Sequence, residues 1–136
     1  MIPETWKLHH IGYLISNMEK SISSFLLLGY EADSIFYDEE RMADFCFLHS
    51  NSGIIELVAP KEESELHPLL KQYRNAPYHL CFEVEDLDES VGCLKSHGFL
   101  LFKDKQRANA ISKTAQVVFL MHASLGIIEL VSSIEE

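Results

Sequence analysis

Gly53-Ile54-Ile55-Glu56-Leu57-Val58 and Gly126-Ile127-Ile128-Glu129-Leu130-Val131 are the same six residues, met twice in a chain of 136. A verbatim hexapeptide in so short a chain marks an internal duplication. Each copy follows a strand-like stretch that carries a histidine near its start, His10 in Leu8-His9-His10-Ile11-Gly12-Tyr13 and His79 in Tyr78-His79-Leu80-Cys81-Phe82. The histidines lie 69 residues apart, and the glutamates Glu56 and Glu129 lie 73 apart. A pseudo-twofold fold would bring two His and two Glu to one place, which is the donor set of a metal site.

The duplication extends beyond the hexapeptide. Residues 7–15 read as a strand, and Asn17 caps a helix with apolar positions Met18, Ile22, Phe25 and Leu26 at helical spacing, stopped by Gly29. In the second half, residues 78–84 are the matching strand. Asp86 and Glu89 have the spacing of a capping box, Leu87, Val91 and Leu94 form the apolar face, and Gly98 is the stop. Three strand candidates follow each helix, at 31–37, 43–49 and 54–59, then at 99–103, 115–122 and 127–132. Ser50-Asn51-Ser52-Gly53 and Ala123-Ser124-Leu125-Gly126 read as matching hairpin turns.

The order is therefore β-α-β-β-β twice, an α+β class with modules at 7–59 and 78–132 and a linker at 60–77 that holds a short helix over 69–74. The second half has four more residues between His and Glu, expected in a loop over 104–114. Period-two alternation puts His10 and Glu56 on the sheet face opposite the helices, and His79, Cys81 and Glu129 do the same in the second half. His49 and His122 both precede their glutamate by seven residues and read as structural.

Bulk properties narrow the function. A formal charge of −10 argues against nucleic acid or an anionic membrane as partner. Apolar runs such as Phe25-Leu26-Leu27-Leu28 are far too short to span a bilayer, and Met1-Ile2-Pro3-Glu4-Thr5-Trp6-Lys7 lacks a leader pattern. Cys46, Cys81 and Cys93 form no Cys-x-x-Cys pair and read as reduced thiols, so a cytoplasmic protein is expected.

At these residues the chain resembles the vicinal-oxygen-chelate (glyoxalase/bleomycin-resistance/dioxygenase) superfamily, along essentially its whole length. The carrying motifs are His10-Ile11-Gly12, Gly53-Ile54-Ile55-Glu56-Leu57, Tyr78-His79-Leu80-Cys81-Phe82-Glu83-Val84 and Gly126-Ile127-Ile128-Glu129-Leu130. The resemblance implies two βαβββ modules in a U-shaped mixed sheet with helices on its convex face. It also implies that His10, Glu56, His79 and Glu129 bind one divalent ion. Two imidazoles and two carboxylates leave open positions in an octahedral shell, which suits Ni, Co, Zn, Mn or Fe.

The activity that the resemblance implies is proton transfer at a carbon next to a carbonyl. Within the superfamily the chain looks most like methylmalonyl-CoA epimerase, which predicts an acyl-CoA thioester as substrate. Glyoxalase I, acting on a glutathione hemithioacetal, is the second reading, but its Arg and Asn anchors are replaced here by Leu14 and Pro60. The epimerase likeness also implies a glutamate base in Asp38-Glu39-Glu40-Arg41, where spacing favours Glu40 over Glu39. Glyoxalase-like chemistry would give that role to Glu129 or Glu56. Lys103, Lys105, Arg107 and Lys113 form the densest basic stretch, suited to phosphates or a carboxylate.

Other classes fit less well. A non-haem iron dioxygenase needs only a two-His-one-carboxylate triad, and Glu56 would take a position required for oxygen and substrate. A non-catalytic binding module of this fold does not need the complete ligand set. A homodimer is the expected assembly, by likeness to the superfamily.

Overall fold

The structure, a computed structural model, describes residues 6–134; residues 1–5, within the stretch inspected above for a leader, lie outside the described residues. The described residues form β1 (Lys7–Leu14), α1 (Met18–Leu27), β2 (Glu31–Ala32), β3 (Phe36–Asp38), β4 (Ala43–Ser50) and β5 (Gly53–Pro60). Helix α2 (His67–Tyr73) follows, then β6 (Ala76–Glu83), α3 (Leu87–Lys95), β7 (Leu100–Arg107), β8 (Gln116–His122) and β9 (Gly126–Ser132). The mixed α+β class is the one expected; the second half has the expected βαβββ order, and the first has it with β2 and β3 in place of one strand. Contacts divide the chain into two compact units, His10–Tyr78 and residues 6–9 with 79–134.

In the unit His10–Tyr78 the strand order is β2-β4-β5-β1, with β3 also paired to β4. Strands β1 and β5 run parallel, with Gly12 beside Glu56 and Leu14 beside Val58. Strand β5 returns antiparallel along β4, so that Phe47 faces Glu56 and Phe45 faces Val58. Helix α1 starts where Asn17 Oδ1 accepts the Lys20 N–H at 3.0 Å. One face of the sheet packs against it through Ile15, Cys46, Leu48 and Leu57, together with Met18, Ile22 and Phe25 of the helix.

The second unit repeats this plan in the order β6-β9-β8-β7. Strands β6 and β9 are parallel, with Cys81 beside Glu129, and β8 places Phe119 opposite Glu129. Asp86 Oδ1 accepts the Glu89 N–H at 3.0 Å to start α3, whose Leu87 and Leu94 bury against Val84, Val118, Leu120, Ile128 and Leu130. Both long helices end alike. Gly29 (φ +93°) and Gly98 (φ +89°) adopt the left-handed region, and the next N–H, of Tyr30 or Phe99, reaches back to the carbonyl of Phe25 or Leu94 at 3.2 Å. This is the Schellman closure that glycine permits most readily.

Four expectations are corrected. The strand expected over 31–37 is broken into β2 and β3, because the Asp33 N–H bonds to Phe47 O and its carboxylate meets His49 Nε2 at 2.7 Å. The loop expected over 104–114 begins later, since β7 runs to Arg107 with register shifts at 101–103 and 103–106 that take up extra residues. The two hairpin turns do not match. Ser50 pairs with Gly53 across a two-residue turn, whereas His122 pairs with Gly126 across three residues. His122 therefore aligns with Ser50 rather than with His49. The linker helix also begins two residues earlier than expected, at His67, and Arg74 (φ +54°) ends it in the left-handed region. Asn75 (φ +51°) follows in the same region, its Oδ1 accepting the Ser16 N–H at 2.9 Å.

Burial, and secondly the Asp33 carboxylate, pushes the Cys46 thiol above its ordinary range. Cys46 and Cys81 are buried and Cys93 is half-buried. Native protein is expected to take up one equivalent of iodoacetamide, at Cys93, and three after unfolding, as read by mass spectrometry. Gly29→Ala meets no atom within 4 Å, so its penalty is conformational alone. Thermal unfolding should show a loss of about 1 kcal/mol, with Gly29→Asn closer to the parent protein.

Candidate metal centre

Each unit carries one buried His–Glu pair on the sheet face away from its helix. In the unit His10–Tyr78, His10 is two residues ahead of Gly12, the parallel partner of Glu56. Alternation returns His10 to the face of Gly12, so imidazole and carboxylate meet across adjacent strands. His10 Nε2 lies 3.4 Å from Glu56 Oε1, with the residues 1% and 5% exposed. The second unit uses the same construction. His79 is two ahead of Cys81, the partner of Glu129, and His79 Nε2 lies 2.9 Å from Glu129 Oε1, again with both residues buried.

A carboxylate at this depth needs a compensating positive charge, because burial of an isolated anion is strongly unfavourable. A protonated imidazole or a bound cation can supply it. In each pair a nitrogen and an oxygen donor face each other at chelating separation, so each pair fits a divalent ion with mixed N/O ligands. The surroundings are otherwise apolar. Leu14, Phe45 and Val58 share the face of the first pair, and Cys81, Val117 and Val131 share the face of the second.

Two residues of these faces escaped the sequence reading. Phe47, opposite Glu56, packs edge-on to His10 with centroids 5.6 Å apart at 73°. Phe119, opposite Glu129, packs edge-on to His79 at 5.5 Å and 88°. The signal that would have found them is the hairpin register counted back from each glutamate, and it requires knowing the turn lengths.

Glu39 and Glu40 lie exposed in the turn between β3 and β4. That turn is organised by Asp38, which is buried. Asp38 Oδ1 accepts the N–H groups of Glu40 at 2.9 Å and Arg41 at 3.1 Å, and Oδ2 meets Arg41 Nη1 at 2.6 Å. Asp38 is the structural acid of the motif, and Glu39 and Glu40 are carried on its surface.

The basic stretch is exposed throughout. Lys105 Nζ is 3.1 Å from Asp88, and Arg107 Nη2 donates to Lys113 O at 2.7 Å, so part of its donor capacity is spent inside the unit. His49 is exposed and held by Asp33. His122 packs tilted against Phe99, with centroids 4.5 Å apart at 39°, and its Nδ1 accepts the Ser124 N–H.

Solved structures resemble this chain over nearly its full length. A hypothetical protein from Bacillus halodurans superposes with a TM-score of 0.85 at 21% identity, covering 98% of both chains. A variant of Streptomyces coelicolor methylmalonyl-CoA epimerase, in complex with 2-nitronate-propionyl-CoA, gives 0.78 at 20% identity over 95% of this chain and 98% of the other. The Mycobacterium tuberculosis methylmalonyl-CoA epimerase gives 0.76 at 23% over 92% and 86%. At such identities the likeness establishes the fold. No curated protein matches the chain by sequence. The model of the Glyoxalase/Bleomycin resistance protein/Dioxygenase superfamily matches residues 9–119, and the chain belongs to that superfamily.

Proposed function

We propose that this chain is a divalent-metal-dependent isomerase or lyase that moves a proton at a carbon next to a carbonyl, with chemistry like that of methylmalonyl-CoA epimerase. The observation that carries the reading is the repetition of one buried His–Glu pair in each unit at equivalent register. In the proposal His10, Glu56, His79 and Glu129 hold one ion together. When bound, that ion supplies Lewis acidity toward negative charge developing on a carbonyl oxygen.

The chain's own residues account for the rest. A carboxylate on one face takes the α-proton and a second carboxyl group, in its acid form, delivers one to the opposite face, so that the configuration inverts with no net change in composition. Glu40 is the proposed base, with Glu129 or Glu56 in that role if Glu40 serves another purpose. The apolar faces around both pairs keep bulk water from the reacting carbon. The epimerases among the similar structures support an acyl-CoA partner, and Lys103, Lys105, Arg107 and Lys113 are the cations proposed to meet its phosphates. The reading includes a homodimer working in the cytoplasm.

Glyoxalase I chemistry is the second reading. It is disfavoured because Leu14, where a glutathione anchor would stand, is fully buried on an apolar face. The carboxylate of Glu56 weighs against a dioxygenase, and the two intact pairs weigh against a purely sequestering module.

The deciding measurement is deuterium uptake from heavy water into the α-carbon of methylmalonyl-CoA, followed by NMR with protein reconstituted with cobalt or nickel. Exchange at a catalytic rate is expected. His79→Ala should lose it together with at least about 100-fold in metal affinity. Absence of exchange from metal-loaded protein would discard this substrate and turn attention to the hemithioacetal. Glu40→Gln should keep the metal and slow exchange by about 100-fold or more; an unchanged rate would move the base to Glu129 or Glu56.

A further inference from the structure

We propose that Phe47 and Phe119 are positioning residues that hold the imidazole planes of His10 and His79 in the orientation that ligation requires. The inference rests on the metal reading above and concerns residues to which that reading gives no part. Each phenylalanine stands directly across the hairpin from its unit's glutamate, and each meets its unit's histidine edge-on, at 5.6 Å and 73° in one case and 5.5 Å and 88° in the other.

The repetition is one of place rather than of numbering. Phe47 precedes Glu56 by nine residues, while Phe119 precedes Glu129 by ten, because the second hairpin turn is one residue longer. The phenylalanine occupies the same place in space in both units.

Core packing accounts for only part of the choice, since Phe119 also packs against the buried cluster of Cys81, Val117 and Val131. Phe47 and Phe119 are only half-buried, whereas their chain neighbours on the helix face, Leu48 and Leu120, are 0% exposed.

The physical role follows from torsional freedom. An imidazole ring turns broadly about its second side-chain torsion, and most of those orientations aim Nε2 away from the adjacent carboxylate. An edge-on aromatic neighbour restricts the turn through its quadrupole and its bulk. A leucine supplies comparable apolar volume but no flat face, so it should leave the ring freer.

The test uses Phe119→Leu and Phe47→Leu in the full chain, titrated with Co(II) and followed by visible d–d absorption. Thermal unfolding of the metal-free proteins serves as the control for packing. Each leucine variant is expected to bind Co(II) about tenfold more weakly and to change the d–d band, while Phe119→Tyr, which keeps a ring, restores both. Leucine variants with the affinity and spectrum of the parent protein would overturn the positioning role while leaving the metal reading intact. A parent protein that binds no Co(II) would overturn both. Should Phe119→Leu fail to fold, Phe47→Leu and Phe119→Tyr carry the same comparison.

Discussion

Parallel strand pairing sets the geometry on which everything else in each unit depends. Because β1 lies parallel to β5 with Gly12 beside Glu56, the histidine two residues earlier is brought to the same face and to one diagonal step from the carboxylate. Strands β6 and β9 impose the same relation on His79 and Glu129 through Cys81. A one-residue slip in either ladder would send every side chain of the strand to the opposite face and place the carboxylate among the leucines under the helix. The helices guard against such a slip. Leu57 and Leu130 are buried in the helix-side cores, and the glutamate preceding each is thereby committed to the other face.

This division of labour explains why so much of the molecule could be read from its residues. Alternation within β5 and β9 separates one apolar face from one polar position, and the apolar spacing in α1 and α3 shows which face they cover. Asn17 and Asp86 start the helices and Gly29 and Gly98 end them through hydrogen bonds that those residue types make locally. Features governed by one residue's own chemistry, or by period-two counting, were legible.

Features governed by distant partners were not. The interruption between β2 and β3 is imposed by Phe47 and His49 on the neighbouring strand, and nothing within Asp33-Ser34-Ile35 announces it. Asp38 could not be told from Glu39 and Glu40 as the buried acid, because the distinction lies in which carboxylate the turn folds around. The unequal hairpins hid the two phenylalanines. One added residue in the second turn shifts every position on β8 relative to the repeat offset, so a comparison by numbering pairs His49 with His122 when space pairs Ser50 with His122.

Strand β7 carries a liability that its irregular register contains. It pairs with β8 alone among the described strands and exposes Leu100, Leu101 and Phe102 in sequence. A flat strand of that composition would be a template for endless association of one chain with the next. The shifts at 101–103 and 103–106 break the regular ladder of this strand, and Lys103, Asp104, Lys105 and Arg107 bring charge to it. The residues that lengthen the second module thus bring irregularity and charge to this strand. Their removal to restore perfect symmetry between the halves would leave a flatter, more apolar strand of the kind that templates association of one chain with the next.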